Sequence, residues 1–345
     1  MSGIAAGEVR RPAAPQGRGS NEGVGDGSGG HETTKEPPTS AATAAGATPD
    51  TPQAGVRQAV ADFWLDALFR LAAGAPRITR ALRPVVARGA YFFSPSVRRA
   101  TAANARHIFG PQTPPNEVRR FGRGVVASFY DFVCDVGQAL HLSREQLLGR
   151  IEAIEGHPHY VAARALGRGA IIATAHMGSF EAGAVALLEH ERAMHVVFKR
   201  DPSRFEQVRS SLRQKLGVTE QPVDDGWGMW MRLRDALARD EVVMIQADRV
   251  MPGQKGVAVP FLHGRLLLPT GPIKLALASE RAPVIPVFVL RTPRGGIRIH
   301  VEEAIQVEPS DESPHPALLK FSRILEQYVR AYPRQWLLLT DAFCE

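Results

Sequence analysis

The sequence is poor in the features that staple a fold covalently or carry it across a bilayer. Its 345 residues include two cysteines, Cys134 and Cys344, and neither has metal-ligand spacing. That excludes a disulfide framework and a cysteine-based zinc site, and it fits a reducing compartment. No window of about 18 apolar residues occurs, so no stretch reads as a transmembrane helix. Arg10 and Arg11 are followed by Pro, Gln and Gly, not by the apolar run of a signal peptide. No phosphate-cradling loop is present. Gly167-Arg168-Gly169 precedes an apolar run instead of following one, and no Gly-Lys-Ser/Thr occurs.

Large apolar residues are nearly absent from residues 1–55, which are rich in Gly, Ala, Pro and Thr. Such a segment buries too little apolar surface to offset its ordering entropy, and it is expected to be a disordered tail. Beyond it, residues 56–140 are expected to form a helical, membrane-proximal segment and residues 141–345 an α/β domain.

Charge is also unevenly spread. The tail holds four Lys/Arg against six Asp/Glu, while the whole chain is at +7, leaving the remainder at about +9. A basic body suits anionic lipid headgroups, an acidic carrier protein or nucleic acid. Most of the cations are arginine, which suits bidentate phosphate binding but also follows from genome composition.

The residues present give the elements. Val60, Phe63, Trp64, Ala67, Leu68 and Leu71 recur at helical spacing, and Arg77, Arg80, Arg83 and Arg88 lead into Tyr91-Phe92-Phe93. Aromatics beside arginines fit a bilayer interface, and equally a helix packed on the domain. A helix is expected over 116–136. From Gly167 onward short apolar runs alternate with helical patterns. Strands are expected at 170–175, 195–198, 242–246, 284–290, 297–301 and 336–340, with helices between them. That alternation predicts an α/β fold: a central, mostly parallel sheet flanked by helices, with helices before it.

One strand end carries chemistry. Residues 170–175 run into His176, then Met177-Gly178-Ser179-Phe180-Glu181, then a helix. In open α/β sheets ligands bind beyond the carboxyl ends of strands. Gly178 permits a tight turn that brings the Glu181 carboxylate back to the imidazole. The expected pair is His176 as general base and Glu181 as the carboxylate that orients it, with helix N-terminal N–H groups after Gly178 at an oxyanion. On spacing alone, a capping Glu and a strand-end His bonded to backbone fit as well; His31 and Glu36 show the same spacing in the tail.

Other residues gather around this motif. Lys199 and Arg200 end a strand, where they serve as phosphate contacts or as solvated charges. Asp248 and Arg249 follow another strand, positioned to pair with each other, with Arg200, or with substrate. Thr270 and Gly271 open a helix, as an anion site or a plain cap. Ser179 lacks the Gly-x-Ser-x-Gly elbow of serine nucleophiles and is taken instead as a substrate contact with Gly178. Trp227 and Trp230 fit either an acyl groove or core packing.

Ala175-His176-Met177-Gly178-Ser179-Phe180-Glu181 resembles the His-x4-acid motif of glycerolipid and lipid A acyltransferases. More specifically, the chain resembles the bacterial branch of lipid A late acyltransferases and phosphatidylinositol-mannoside acyltransferases. Further blocks match in order: Arg99 to Phe109 with Asn104, Val196 to Asp201, Gln246 to Arg249, Val259-Pro260-Phe261 with Pro269 to Pro272, and Tyr332-Pro333-Arg334-Gln335-Trp336. Two departures stand out. Phe198-Lys199-Arg200 replaces the usual Tyr-Arg, and a leucine run follows Trp336 where lipid A enzymes carry aromatic and basic residues. The resemblance implies O-acyl transfer from acyl-CoA or acyl carrier protein to a hydroxyl of a membrane lipid or glycolipid, with no metal or other cofactor. It further implies a monomer held peripherally at the cytoplasmic face of a bacterial inner membrane. A lipid or ester hydrolase using the same dyad and a basic nucleic-acid-binding protein are the competing readings. No nucleic-acid motif accompanies the charge, so nucleic acid is not an expected partner.

Overall fold

The computed structural model describes residues 52–250 and 254–344. Residues 1–51 of the expected tail lie outside them, while its last four residues, 52–55, are corrected to helix, because they form the first turn of α1. Four helices come first: α1 (Pro52–Gly74), α2 (Pro76–Phe93), α3 (Pro95–Phe109) and α4 (Pro115–Ala139). Each begins with proline at its first position, where the missing N–H costs nothing. The α/β part follows as α5 (Arg144–Leu148), β1 (Ile151–Glu155), α6 (His157–Arg164), β2 (Ala170–Thr174), α7 (Phe180–Leu187), β3 (Met194–Phe198), α8 (Arg204–Lys215), β4 (Thr219–Pro222), α9 (Trp227–Ala238) and β5 (Val242–Gln246). The chain ends with β6 (Gly256–Phe261), β7 (Gly264–Pro269), α10 (Gly271–Ala278), β8 (Val284–Arg291), β9 (Ile297–Val301), α11 (Pro316–Ala331) and β10 (Phe343–Cys344).

Seven strands form one sheet in the order β1-β9-β8-β2-β5-β3-β4. Every neighbouring pair is parallel except β8 and β9. Its middle strands are apolar because both faces are covered. β2 shows the period-two division: Ile171, Ala173 and Ala175 join one core with α9, α10 and α11, while Ala170 and Ile172 join the other with α7 and α8. A second, antiparallel sheet of β10, β7 and β6 lies apart from the first.

The helix α4 serves both cores: Phe121 and Val125 pack into one, Phe132 and Val136 into the other. Close approach of its neighbours needs small residues. A Cβ on Gly122 would lie 2.5 Å from the Tyr91 ring of α2, so glycine is what lets α2 seat there.

Periodicity located the middle strands and most of the larger helices. The N-terminal segment is helical as expected, but periodicity gave no bounds for α2 and α3, and it left β1, β4 and the β6–β7 hairpin without strands. The strand expected at 336–340 is corrected. Trp336 makes a single bridge to Met177, and the chain then leaves the sheet. Leu337 and Leu338 are buried by packing and Leu339 partly so, which gives them a strand-like pattern without a ladder.

Candidate active site

Strand register brings the reactive groups together. β2 and β5 run parallel with Thr174 opposite Gln246. Two steps beyond each lie His176 and Asp248, neighbours at the carboxyl edge of the sheet. His176 Nδ1 is 2.8 Å from Asp248 Oδ1, and Asp248 Oδ2 accepts the indole N–H of Trp336 at 2.9 Å. Asp248 is fully buried, and the His176 side chain keeps 17% of its exposure. An ionised carboxylate only accepts hydrogen bonds, so Nδ1 carries the proton and Nε2 keeps its lone pair.

The electrostatics favour that division. Burial pushes the His176 imidazole below its ordinary value, Asp248 pulls the other way, and Arg249 and Arg209 add to the lowering. Burial opposes ionisation of Asp248, but the imidazole, Arg249 and the Trp336 N–H hold its carboxyl well below the usual range. The pair is therefore a neutral base beside a carboxylate at neutral pH.

The C-terminal segment clamps the loop after β2. Leu337 N–H donates to the His176 carbonyl at 2.8 Å, and Gly178 N–H donates to the Gln335 carbonyl at 3.0 Å. The Gln335 side chain bonds both the N–H and the carbonyl of Arg291 at the end of β8. Gly178 has φ +53°, and a Cβ there would lie 2.4 Å from the Val289 carbonyl, so this turn admits only glycine. Since its N–H is already bonded, Gly178 is a turn residue and offers no donor to substrate. Asn104 performs a similar tie from α3, donating to the Thr340 carbonyl at 2.8 Å.

Glu181 does not orient His176. This corrects the expected dyad. The Glu181 carboxylate faces α8, where Arg209 Nε reaches it at 2.7 Å and Arg213 Nη1 at 3.3 Å. Arg213 also binds Glu206 and Glu220. The physical reason is direction. Glu181 lies in the first turn of α7, whose side chains are clamped between the sheet and α8, so the carboxylate meets the guanidinium groups there. The imidazole leans across the strands toward β5. The Arg209 guanidinium also lies over the rings of Phe180 and Phe205, and Phe180 packs edge-on to His176. Glu181 thus reaches the base only through Arg209 and Phe180.

The remaining candidates divide. Ser179 is 1% exposed and donates its hydroxyl to Asp135, which Arg150 and Arg291 neutralise. It braces the loop and is shut off from substrate. Arg200 pairs with Asp225 at 2.7 Å, and its backbone N–H donates to Asp224. Lys199 sits half-buried at the end of β3. Arg249, also half-buried, donates to the Leu337 carbonyl at 3.4 Å, and Asp248 takes His176 and Trp336 as partners instead of Arg200 or Arg249. Thr270 precedes α10 without a side-chain cap, and Gly271 lets the Trp230 ring approach, since a Cβ would lie 2.7 Å from it. Trp230 packs on the core while Trp227 is 77% exposed.

Behind Phe180 and Glu181 lies a narrow slot lined by Ala184, Val196, Leu216, Val218 and Met244. Its free volume of about 30 Å³ is one water's worth. It is apolar, but an acyl chain enters only if its walls part.

A family model for bacterial lipid A biosynthesis acyltransferases matches residues 57–344. The chain belongs to this family. Similar proteins include the phosphatidylinositol mannoside acyltransferases of two strains of Mycobacterium tuberculosis, each 27% identical over 192 residues. The alignment covers 54% of this chain and 58% of the relatives, so the chain spans under two thirds of their length. For this lipid A acyltransferase family member, sequence reasoning missed Asp248 as the partner of the base and Arg209 as the partner of Glu181. The available signal was parallel register, since both Thr174-to-His176 and Gln246-to-Asp248 are two-residue steps beyond a strand.

Proposed function

We propose that the chain is an O-acyltransferase that moves an acyl group from a thioester of coenzyme A or acyl carrier protein to a hydroxyl of a membrane lipid or glycolipid. His176 is the general base, and Asp248, not Glu181, holds it. The observation that carries this reading is the 2.8 Å contact from Nδ1 to a buried carboxylate, which leaves Nε2 as the acceptor at a sheet edge.

The acceptor hydroxyl gives its proton to Nε2 as its oxygen attacks the thioester carbonyl. Asp248 stabilises the imidazolium that results. The first N–H groups of α7, which a helix start leaves without intrahelical partners, are the donors this reading assigns to the developing oxyanion. Collapse breaks the carbon–sulfur bond, and the thiolate recovers the proton from the imidazolium. No enzyme nucleophile is needed.

The membrane reading rests on α2. Thr79, Ala87 and Tyr91 are its buried face. Ile78, Leu82, Val85, Val86 and Phe93 recur at helical spacing on another face, and all are exposed, Phe93 at 81%. Arg77 and Arg88 flank that stripe, and Phe63 and Trp64 of α1 are likewise exposed. An apolar stripe with aromatics and arginines suits partial insertion beneath anionic headgroups. Among the described residues, no helix is long and apolar enough to cross a membrane.

The test is turnover with radiolabelled acyl thioester and a mixed lipid acceptor. His176→Ala is expected to lower acyl transfer by roughly 10²–10⁴-fold with the fold retained. Wild-type turnover in that variant would sink the proposal. Label recovered only as free fatty acid in the wild type would convert the reading to hydrolysis.

A further inference from the structure

A second opening shares the rim of the sheet with His176 but lies on the other side of the His176–Gly178 loop. It is a cleft of about 1020 Å³ between α2, the β8–β9 turn and the segment after α11. Gly178, two residues beyond the base, forms part of its wall. No group of the proposed acyl-transfer step other than this turn residue lines it.

Arginine dominates the lining, with Arg80, Arg83, Arg291, Arg294, Arg298 and Arg334 against two carboxylates, Asp131 and Glu152. Asp131 is already bound on both oxygens, by Arg83 at 2.8 Å and by Arg291 at 2.9 Å. Glu152 accepts the Thr292 hydroxyl at 3.0 Å. Arg298 has only a 3.5 Å contact to Glu155. Among the described residues, Arg80, Arg294 and Arg334 have no carboxylate partner.

The cations also converge. A Cβ built on Gly295 would lie 3.3 Å from Nη2 of Arg80 and 3.3 Å from Nη2 of Arg291, so two guanidinium groups from α2 and β8 face one point. Asp131 and Asp135 already neutralise Arg291, so among the described residues Arg80 is the guanidinium facing this point without a carboxylate of its own. His300 in the same lining has a buried Nε2 without a hydrogen-bond partner. Planar guanidinium forks fit phosphate oxygens in pairs.

We propose that this cleft binds a phosphodiester, that of the acceptor lipid's headgroup. The choice of a lipid over a soluble phosphate comes from α2. This one helix supplies Arg80 and Arg83 to the cleft from one side and presents the exposed stripe of Ile78, Leu82 and Val85 on its opposite side. With that stripe inserted among lipid tails, the cleft lies roughly one helix diameter, 10–12 Å, above them at headgroup depth, and a headgroup whose phosphate binds there extends toward Gly178. The assignment to an acceptor rests on the acyl-transfer reading. The anion site itself does not.

The experiment is calorimetric titration of the full chain with glycerophosphoinositol and, separately, with inorganic phosphate. A variant carrying Arg80→Ala together with Arg294→Ala removes two exposed, unpaired cations and is expected to melt with the wild type. The wild type is expected to bind the diester saturably and more tightly than inorganic phosphate. The double variant should lose at least about tenfold in diester affinity, the size of one charged hydrogen bond. Arg234→Ala, which removes one positive charge on α9, outside the cleft lining, should leave that affinity unaltered. In turnover, the double variant should raise KM for a phosphodiester lipid acceptor and not for the acyl thioester.

Absence of diester binding, or equal binding by the double variant, overturns the site. Tighter binding of inorganic phosphate than of the diester overturns the headgroup assignment. A rise in KM for the thioester alone does so too, because the cleft would then serve the donor. The titrations need no turnover, so a failed His176→Ala test leaves them interpretable.

Discussion

Two carboxylates sit at the same sheet edge, five residues and 72 residues along the chain from His176, and they differ in what surrounds them. Asp248 is fully buried and faces an imidazole and an indole N–H, with Arg249 nearby. Glu181 is 8% exposed and faces two guanidinium groups, one of which binds two further glutamates. A carboxylate held by arginines has its charge already neutralised and makes a structural joint. A carboxylate whose principal partner is a titratable base instead sets that base's proton. The contrast teaches that the role of an acid near a histidine is fixed by its other contacts, not by its separation along the chain.

The largest expected effect is at Asp248. Asp248→Asn keeps the size of the side chain but removes the charge and lets the imidazole take the other tautomer. Acyl transfer is expected to fall about 10²–10⁴-fold while the melting temperature changes little. If Asp248→Asn retains more than a tenth of the activity, the contrast between the two acids breaks.

Glu181→Gln should show the opposite balance. Arg209 and Arg213 lose a buried partner, at a cost of about 3 kcal/mol in denaturant unfolding, while Glu206 and Glu220 limit the loss. Turnover of the remaining folded enzyme should fall by no more than about tenfold. A collapse in turnover with unchanged stability would return Glu181 to the catalytic role that its spacing suggests.

Trp336→Phe is milder. It leaves one oxygen of Asp248 without its donor, an effect of roughly 1–3 kcal/mol on stability, and is expected to lower turnover by about tenfold. Equal turnover would mean that Trp336 supports the core alone.

The smallest effect is in the pH profile. Because the folded His176 pKa is depressed below its ordinary 6.5, the base form persists below that pH, and the acid limb of the rate profile should lie there. Asp248 acts to raise that pKa, so in Asp248→Asn the limb should move further down, on a lower plateau. The linked stability follows the same sign. Burial of neutral His176 contributes fully above the unfolded value near 6.5, and the contribution is lost as pH falls through the lower folded value. A rate profile whose acid limb lies above 6.5 contradicts the depressed base.

Much of the fold was legible beforehand. The runs at 170–174 and 242–246 are apolar because strands buried on both faces have no alternative, and period and length identify such runs. The helices α2 and α3 were harder to see. Arg77, Arg80, Arg83 and Arg88 look like a solvated basic stretch until α4 is in place to bury Thr79, Ala87 and Tyr91 between them. The β6–β7 hairpin is short and carries Pro260, which hides it from simple alternation.

In the site, the sequence by itself determined where His176 lies. His176 follows a buried strand and precedes a glycine turn and a helix, and those local rules suffice to put an imidazole at the edge of the sheet. It also pointed to a tight turn at Gly178, although the close approach of the β8 backbone there is tertiary. What holds the base was decided by tertiary structure alone, because hydrogen-bond partners across a parallel sheet are set by which strands lie side by side. The order β8-β2-β5-β3 brings Asp248 to His176 and leaves Glu181 to α8, and it sets Arg291 beside Arg80 in the basic cleft. Strand order arises from the packing of distant segments, which a spacing of five residues does not encode.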